Sequence, residues 1–168
     1  MTKREYGTRR NHHYGLIFLT FLIALFLTIL PLPQWAQDFR PYWLMLVIIY
    51  WVLVLPQAVG VGISWCIGLL LDVLQGALLG QYAIAMMIIA YLTYKLHYQL
   101  RAFPVWQQSI VIFLFISLAQ LFVLWTNILT GQTATSYWQY GIAIFCSAII
   151  WPWIYSILHA YQLRYRIQ

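Results

Sequence analysis

Long apolar runs, interrupted by isolated charges rather than mixed with them, constrain this chain more than any motif it carries. Six can be read: about Gly15 to Leu32, Tyr42 to Leu55, Ala58 to Leu74, Tyr82 to Leu96, Val105 to Ile128 and Trp138 to Leu158. Of the 168 residues, 64% are hydrophobic and only 7% are charged. A soluble domain carries about 25% charged residues to build its polar shell. The composition thus excludes a water-soluble globular domain, a disordered chain and a disulfide scaffold, and makes lipid the solvent for most of the chain. The length suits about six spans with short loops, and is too short for a soluble domain beside them.

The stretch from Tyr42 to Leu74 decides the number of spans. As one helix it would be about 50 Å long, far beyond the hydrocarbon core. Pro56 and Gln57 fall near its middle, and proline breaks the hydrogen-bond ladder there. The charges test the same point. With six spans and a cytoplasmic N-terminus, Lys3, Arg4, Arg9, Arg10, Lys95, Arg101, Arg164 and Arg166 all face the cytoplasm and only Arg40 lies outside. Five spans would place Lys95, Arg101, Arg164 and Arg166 outside as well, against the positive-inside bias. The sequence therefore predicts an all-α membrane protein, a single domain over 1–168 with six transmembrane helices and both termini cytoplasmic. The first segment is too long for a secretory signal and lacks an A-x-A cleavage pattern, so it is expected to be retained. The formal charge of +6 sits at the tips of apolar runs, which implies topology and lipid headgroups rather than nucleic acid.

Chemistry has few candidates. There is no H-E-x-x-H, P-loop, G-x-G-x-x-G or C-x-x-C pattern. Ser64, in Gly62-Ile63-Ser64-Trp65, has no base at matching depth: His97 and His159 fall near the cytoplasmic ends of their segments. Cys66 and Cys146 lie in apolar runs, where cysteine behaves as a small hydrophobe. No catalytic residue, cofactor site or metal site is expected.

The informative stretch is Gly60, Ser64, Gly68, Asp72, Gly76 and Gly80, which recur every fourth residue. A step of four advances about 40° round a helix, so Gly60 to Asp72 share one face. Small residues at that spacing admit another helix at close range. The face serves either packing within the bundle or contact with a partner's helix. Beyond Asp72 the helix is expected to stop, with Gly76 and Gly80 in a bend. Asp72 is the only acid inside an apolar run, and an ionised carboxylate at mid-bilayer costs about 2.5–3.5 kcal/mol. It is expected to be neutral, paired or near water. Gln75 and Gln120 are its candidate polar partners, the latter on the face of the fifth segment that also carries Ser109, Ser117 and Asn127. Capping of a helix end by Asp72 is the alternative.

This stretch and its neighbours resemble the MreD family of bacterial rod shape-determining membrane proteins. The matching pieces are Arg40-Pro41-Tyr42-Trp43, Tyr50-Trp51 through Leu55-Pro56, Val61-Gly62, Gly68-Leu-Leu-Leu-Asp72 with Gly76 and Leu79-Gly80, and Ala90-Tyr91-Leu92. Trp106-Gln107-Gln108 and Trp151-Pro152-Trp153 follow. In order and spacing they cover about residues 14 to 166. Tyr42 departs from the smaller polar or acidic residue expected in relatives, and Gln120 from the acid that some carry. The resemblance implies a fold similar to the six-helix substrate-binding subunits of energy-coupling-factor transporters. It also implies a non-enzymatic scaffold of the elongation machinery that organises peptidoglycan synthesis in the inner membrane. The implied partners are a bitopic MreC-like protein, an MreB-like filament, and a RodA-like glycosyltransferase with its penicillin-binding transpeptidase. A basic rim of Arg9, Arg10, Lys95, Arg101, Arg164 and Arg166 would meet anionic lipids or that filament, or simply set topology. The alternative function is a small-molecule-binding subunit of a vitamin transporter, for which the convergent polar groups are few: Asp72, Gln75, Gln81 and Gln120.

Overall fold

The computed structural model describes residues 4–31, 33, 39–131 and 137–164, with side chains from residue 15 onwards apart from 16 and 137. Among these residues the chain is all helical, as its composition implies. The helices are α1 (Arg4–Ile29), α2 (Trp43–Val54), α3 (Val61–Gln75), α4 (Gln81–Ala102), α5 (Val105–Leu129) and α6 (Tyr137–Arg164). Two described segments, Val105–Leu129 and Trp138–Arg164, are long and apolar enough to cross a bilayer alone, with mean hydropathies of 2.3 and 1.8.

The shortest helix is the centre. α2 reads Trp-Leu-Met-Leu-Val-Ile-Ile-Tyr-Trp-Val-Leu-Val, apolar on every side, and Leu44 through Leu53 are all buried. A helix without a polar face belongs inside. α1, α4 and α6 pack against it, while α3 reaches the bundle mainly through α4. The helix ends at Leu55, just before Pro56, whose ring cannot continue the hydrogen-bond ladder. A tight turn follows, in which the Ala58 and Val59 N–H groups donate to the Leu55 carbonyl.

Polar contacts set the direction of each neighbour. Trp51 Nε1 donates to Thr20 Oγ1 at 2.8 Å, and Arg40 reaches the end of α1 from the start of α2, so these two helices are antiparallel. The Tyr42 N–H donates to Ser147 Oγ, and the Tyr50 hydroxyl donates to Gln162 Oε1, which makes α6 run parallel to α2. Arg101 at the end of α4 meets the end of α2, so these two are also parallel. Gln81 Nε2, at the start of α4, donates to the Val123 carbonyl near the end of α5. Successive helices therefore alternate in direction.

α5 and α6 are joined through two motifs that lie far apart in sequence. Gln108 is buried at the start of α5. Its Nε2 donates to the Leu100 carbonyl at 2.9 Å and the Phe103 carbonyl at 3.1 Å, closing the α4–α5 corner. Its Oε1 accepts from Trp151 Nε1 at 3.2 Å. One amide thus serves three helices, while the neighbouring Trp106 and Trp153 face outward. Gln108→Leu leaves the Trp151 Nε1–H and the Phe103 carbonyl without this partner and the Leu100 carbonyl with the Phe103 N–H alone, and each unmade buried bond costs about 1–3 kcal/mol. The expected outcome is a lowered thermal midpoint in detergent. A Gln108→Leu/Trp151→Phe double variant should lose clearly less than the sum of the two singles.

Candidate functional site

The regularly spaced small residues of α3 build a single construction with the start of α4. Gly68 is buried, and a Cβ placed on it would lie 2.4 Å from Ala83 Cα and 2.9 Å from the Tyr82 carbonyl oxygen. The two backbones touch there, which only glycine allows. One turn further along the same face, Asp72 is fully buried and points its carboxyl group at the first turn of α4. Oδ2 accepts from the Gly80 N–H at 2.9 Å and the Ala83 N–H at 3.3 Å, and Oδ1 accepts from the Tyr82 N–H at 2.6 Å. The Gln81 N–H donates to the Leu78 carbonyl. Every free N–H at the start of α4 is thereby satisfied, three of them by one side chain from another helix. All three partners of Asp72 are donors, and the positive end of the α4 dipole lies beside it, so the site suits an anionic carboxylate.

The turn between the helices is made by the next two glycines. Gly76 has φ 62° and its N–H donates to the Val73 carbonyl, while the Ala77 N–H donates to the Asp72 carbonyl. This is a Schellman closure, which needs a left-handed residue. Gly80 has φ 99°, again left-handed. Ser64 is buried, and its hydroxyl donates to the Gly60 carbonyl one turn back. It therefore has no catalytic base for a partner. Gly68 and Asp72 are occupied inside this chain against α4, and Ser64 is buried with its hydroxyl bonded to its own helix, so none of the three lies on the surface.

The expected partners of Asp72 lie elsewhere. Gln120 does not reach it: its Nε2 contacts Met45 Sδ on α2 at 3.8 Å, and its Oε1 is buried without a partner. Gln75, one residue short of the turn, is exposed. Depth and polarity placed these groups together, but the rotation of α5 turns Gln120 toward α2, and backbone N–H groups engage both carboxylate oxygens of Asp72. The polar face expected on α5 also divides. Ser109 and Ser117 bond back to their own helix, and Asn127 Oδ1 accepts from Gln81 Nε2 at 2.7 Å.

Two arginines perform the reciprocal task at helix C-termini. Arg101 Nε donates to the Leu53 carbonyl at 2.8 Å and its Nη2 to the Val54 carbonyl, placing a cation at the negative end of α2. Arg40 Nη2 donates to the carbonyls of Leu27, Thr28 and Leu30 and holds the end of α1 in the same way. Sequence reasoning gave Arg40 no structural role. Its place just before α2 and after a run of apolar residues ending in Pro31 and Pro33 was the signal available. Of the rest of the basic rim, Lys95 and Arg164 are exposed. Lys95, Arg101 and Arg164 lie toward the C-terminal ends of the parallel α4 and α6. The side chains of Arg9 and Arg10 and the whole of Arg166 are outside the described residues.

Two apolar grooves flank α1, of about 260 Å³ against α2 and α6 and about 380 Å³ against α3, and a smaller cleft of about 80 Å³ lies beside Arg40. Among the described residues no cluster of His, Cys, Asp or Glu is arranged for a metal, and Cys66 and Cys146 are free.

The described residues form an all-helical, membrane-like bundle, with buried polar groups that tie helix ends together and two helices long and apolar enough to cross a bilayer. The family model for the rod shape-determining protein MreD matches residues 8–161. The rod shape-determining protein MreD of Haemophilus influenzae is 31% identical over 147 residues, covering 88% of this chain and 90% of that protein. The chain belongs to the MreD family of rod shape-determining proteins. No solved structure matches it.

Two substitutions separate the elements of the hairpin. Gly68→Ala should lower the thermal midpoint in detergent, because overpacking against backbone costs about 1–3 kcal/mol. Gly62→Ala, where a Cβ meets nothing within 4 Å, should leave it unchanged. Asp72→Ala should destabilise more than Asp72→Asn, which keeps one acceptor oxygen for the α4 N–H groups. Equal losses in the last pair would contradict the capping role.

Proposed function

We propose that this protein is a non-enzymatic scaffold of the cell-elongation complex, crossing the bacterial inner membrane six times as a single domain with both termini in the cytoplasm. Family membership carries the proposal. Six helices of alternating direction accord with an even number of crossings. Lys95, Arg101 and Arg164 lie toward one end of the bundle and Arg40 toward the other, as the positive-inside bias requires of this topology. The fold expected from the resemblance, similar to the substrate-binding subunits of energy-coupling-factor transporters, is part of the same proposal.

The partners proposed are an MreC-like bitopic protein as the direct one, an MreB-like filament, and a RodA-like glycosyltransferase with its transpeptidase. With Ser64, Gly68 and Asp72 occupied internally, a partner's helix would meet the apolar flanks of α1 rather than the small-residue face. The packing face then acts indirectly, by holding the α3–α4 hairpin in shape. The exposed members of the basic rim are left for anionic lipid or the filament. A vitamin-binding subunit needs a pocket of about 300–1,000 Å³ with convergent polar groups. The one polar cleft described above holds about 80 Å³, and the wider grooves are apolar.

Cell shape tests the role. Gly68→Leu, expressed at wild-type level in place of the native gene, should yield rounded cells and weaken recovery of the MreC-like partner. Normal rods with intact complexes would count against a structural scaffold that depends on this hairpin. A reporter fused after Gln168 should be reachable from the cytoplasm only.

A further inference from the structure

The cleft beside Arg40 is built unlike the rest of the interior. It lies where α1 ends, α2 begins, and the α3–α4 turn closes, at the depth of helix ends rather than mid-bundle. Arg40, Tyr42, Gln75 and Tyr82 wall it, over Met45 and Leu71. The Arg40 guanidinium is pinned through Nη2 by the α1 carbonyls, yet its Nε is buried with no hydrogen-bond partner. An unpaired buried donor is unfavourable, and a cationic one more so. Burial also draws the Arg40 pKa below its usual value by desolvation, the direction that a bound anion reverses. The Tyr42 and Tyr82 hydroxyls and the Gln75 amide likewise have no hydrogen-bond partner among the described residues. Asp72 is the neighbouring acid, and its charge is already met by three N–H groups and the α4 dipole.

We infer that this cleft binds a phosphoryl oxyanion, with Arg40 as counter-ion and Tyr42, Tyr82 and Gln75 as further donors. A volume of about 80 Å³ admits one tetrahedral oxyanion and excludes a drug-sized ligand. Arg40, Tyr42, Tyr82 and Gln75 all line the cleft; several donors suit a group with three acceptor oxygens, and a pinned guanidinium loses little freedom on binding it. The phosphoryl group belongs either to a lipid headgroup at the membrane surface or to free phosphate. The site does not depend on the scaffold role. Only its assignment to the periplasmic leaflet rests on the proposed topology.

The test uses the full chain in a neutral maltoside detergent. Inorganic phosphate, dihexanoyl phosphatidylglycerol, neutral dihexanoyl glycerol and sodium chloride at matched ionic strength are titrated separately, reading the thermal midpoint and tryptophan fluorescence. A saturable rise with the phosphatidylglycerol alone assigns a headgroup site, with phosphate alone a free-anion site, and with both a site that reads only the phosphoryl group. Each supports the inference. Arg40→Lys also disturbs the hold on α1, so the deciding variant is Tyr82→Phe/Gln75→Leu, which leaves that hold intact. It should keep the unliganded midpoint and bind roughly threefold to tenfold more weakly. Absence of a saturable response to either phosphoryl probe overturns the inference. So does an equal response to the neutral glycerol, or unchanged affinity in the double variant.

Discussion

A helix end carries backbone donors or acceptors that have no partner within the helix, and this fold is organised around satisfying them from neighbouring helices. Asp72 of α3 takes three N–H groups at the start of α4. Arg101 of α4 takes the last carbonyls of α2, and Arg40 takes those of α1. The signs are those the helix dipoles call for: an anion at an N-terminus and cations at C-termini. Each of these three charged residues joins two helices, Asp72 fully buried, Arg40 partly so and Arg101 from an exposed position. The scarcity of charge in the composition and its placement in the fold have one physical cause, since a buried charge persists only where fixed partners hold it.

Gly68 connects this economy of charge to packing. Its missing side chain lets α3 and α4 meet backbone to backbone, and that approach brings the Asp72 carboxyl within reach of α4. Gly76 and Gly80 then supply left-handed residues that fit the reversal into a short turn. The four positions act as one device, so damage to any of them reaches the others. The relative placement of the α3 and α4 surfaces depends on this device.

Much of this was visible in the residues themselves. The helical class followed from composition, the interruption after Leu55 from Pro56, and the close-packed face with its terminal bend from glycines spaced by four. The Gln108 and Trp151 motifs were recognisable by type, but their mutual hydrogen bond was not. Which residues meet across two helices depends on the rotation of each about its own axis, and a sequence with little amphipathic contrast leaves that rotation open. The same lack of contrast explains the pairing expected between Asp72 and Gln120, two polar groups at similar depth on helices that turn them apart. The role of Arg40 was hidden because Pro31 and Pro33 mark only where α1 stops, and nothing in the sequence says that Arg40 turns back onto its last carbonyls.

The central position of α2 has a consequence for folding. At about 18 Å for 12 residues, it is shorter than the hydrocarbon core of a bilayer is thick. The arginine that secures its far end is 48 residues away along the chain, and the serine that receives its first N–H is 105 away. Until α4 and α6 have been made, this segment has no permanent environment. Its packing is complete only once helices from both ends of the described bundle have come together around it.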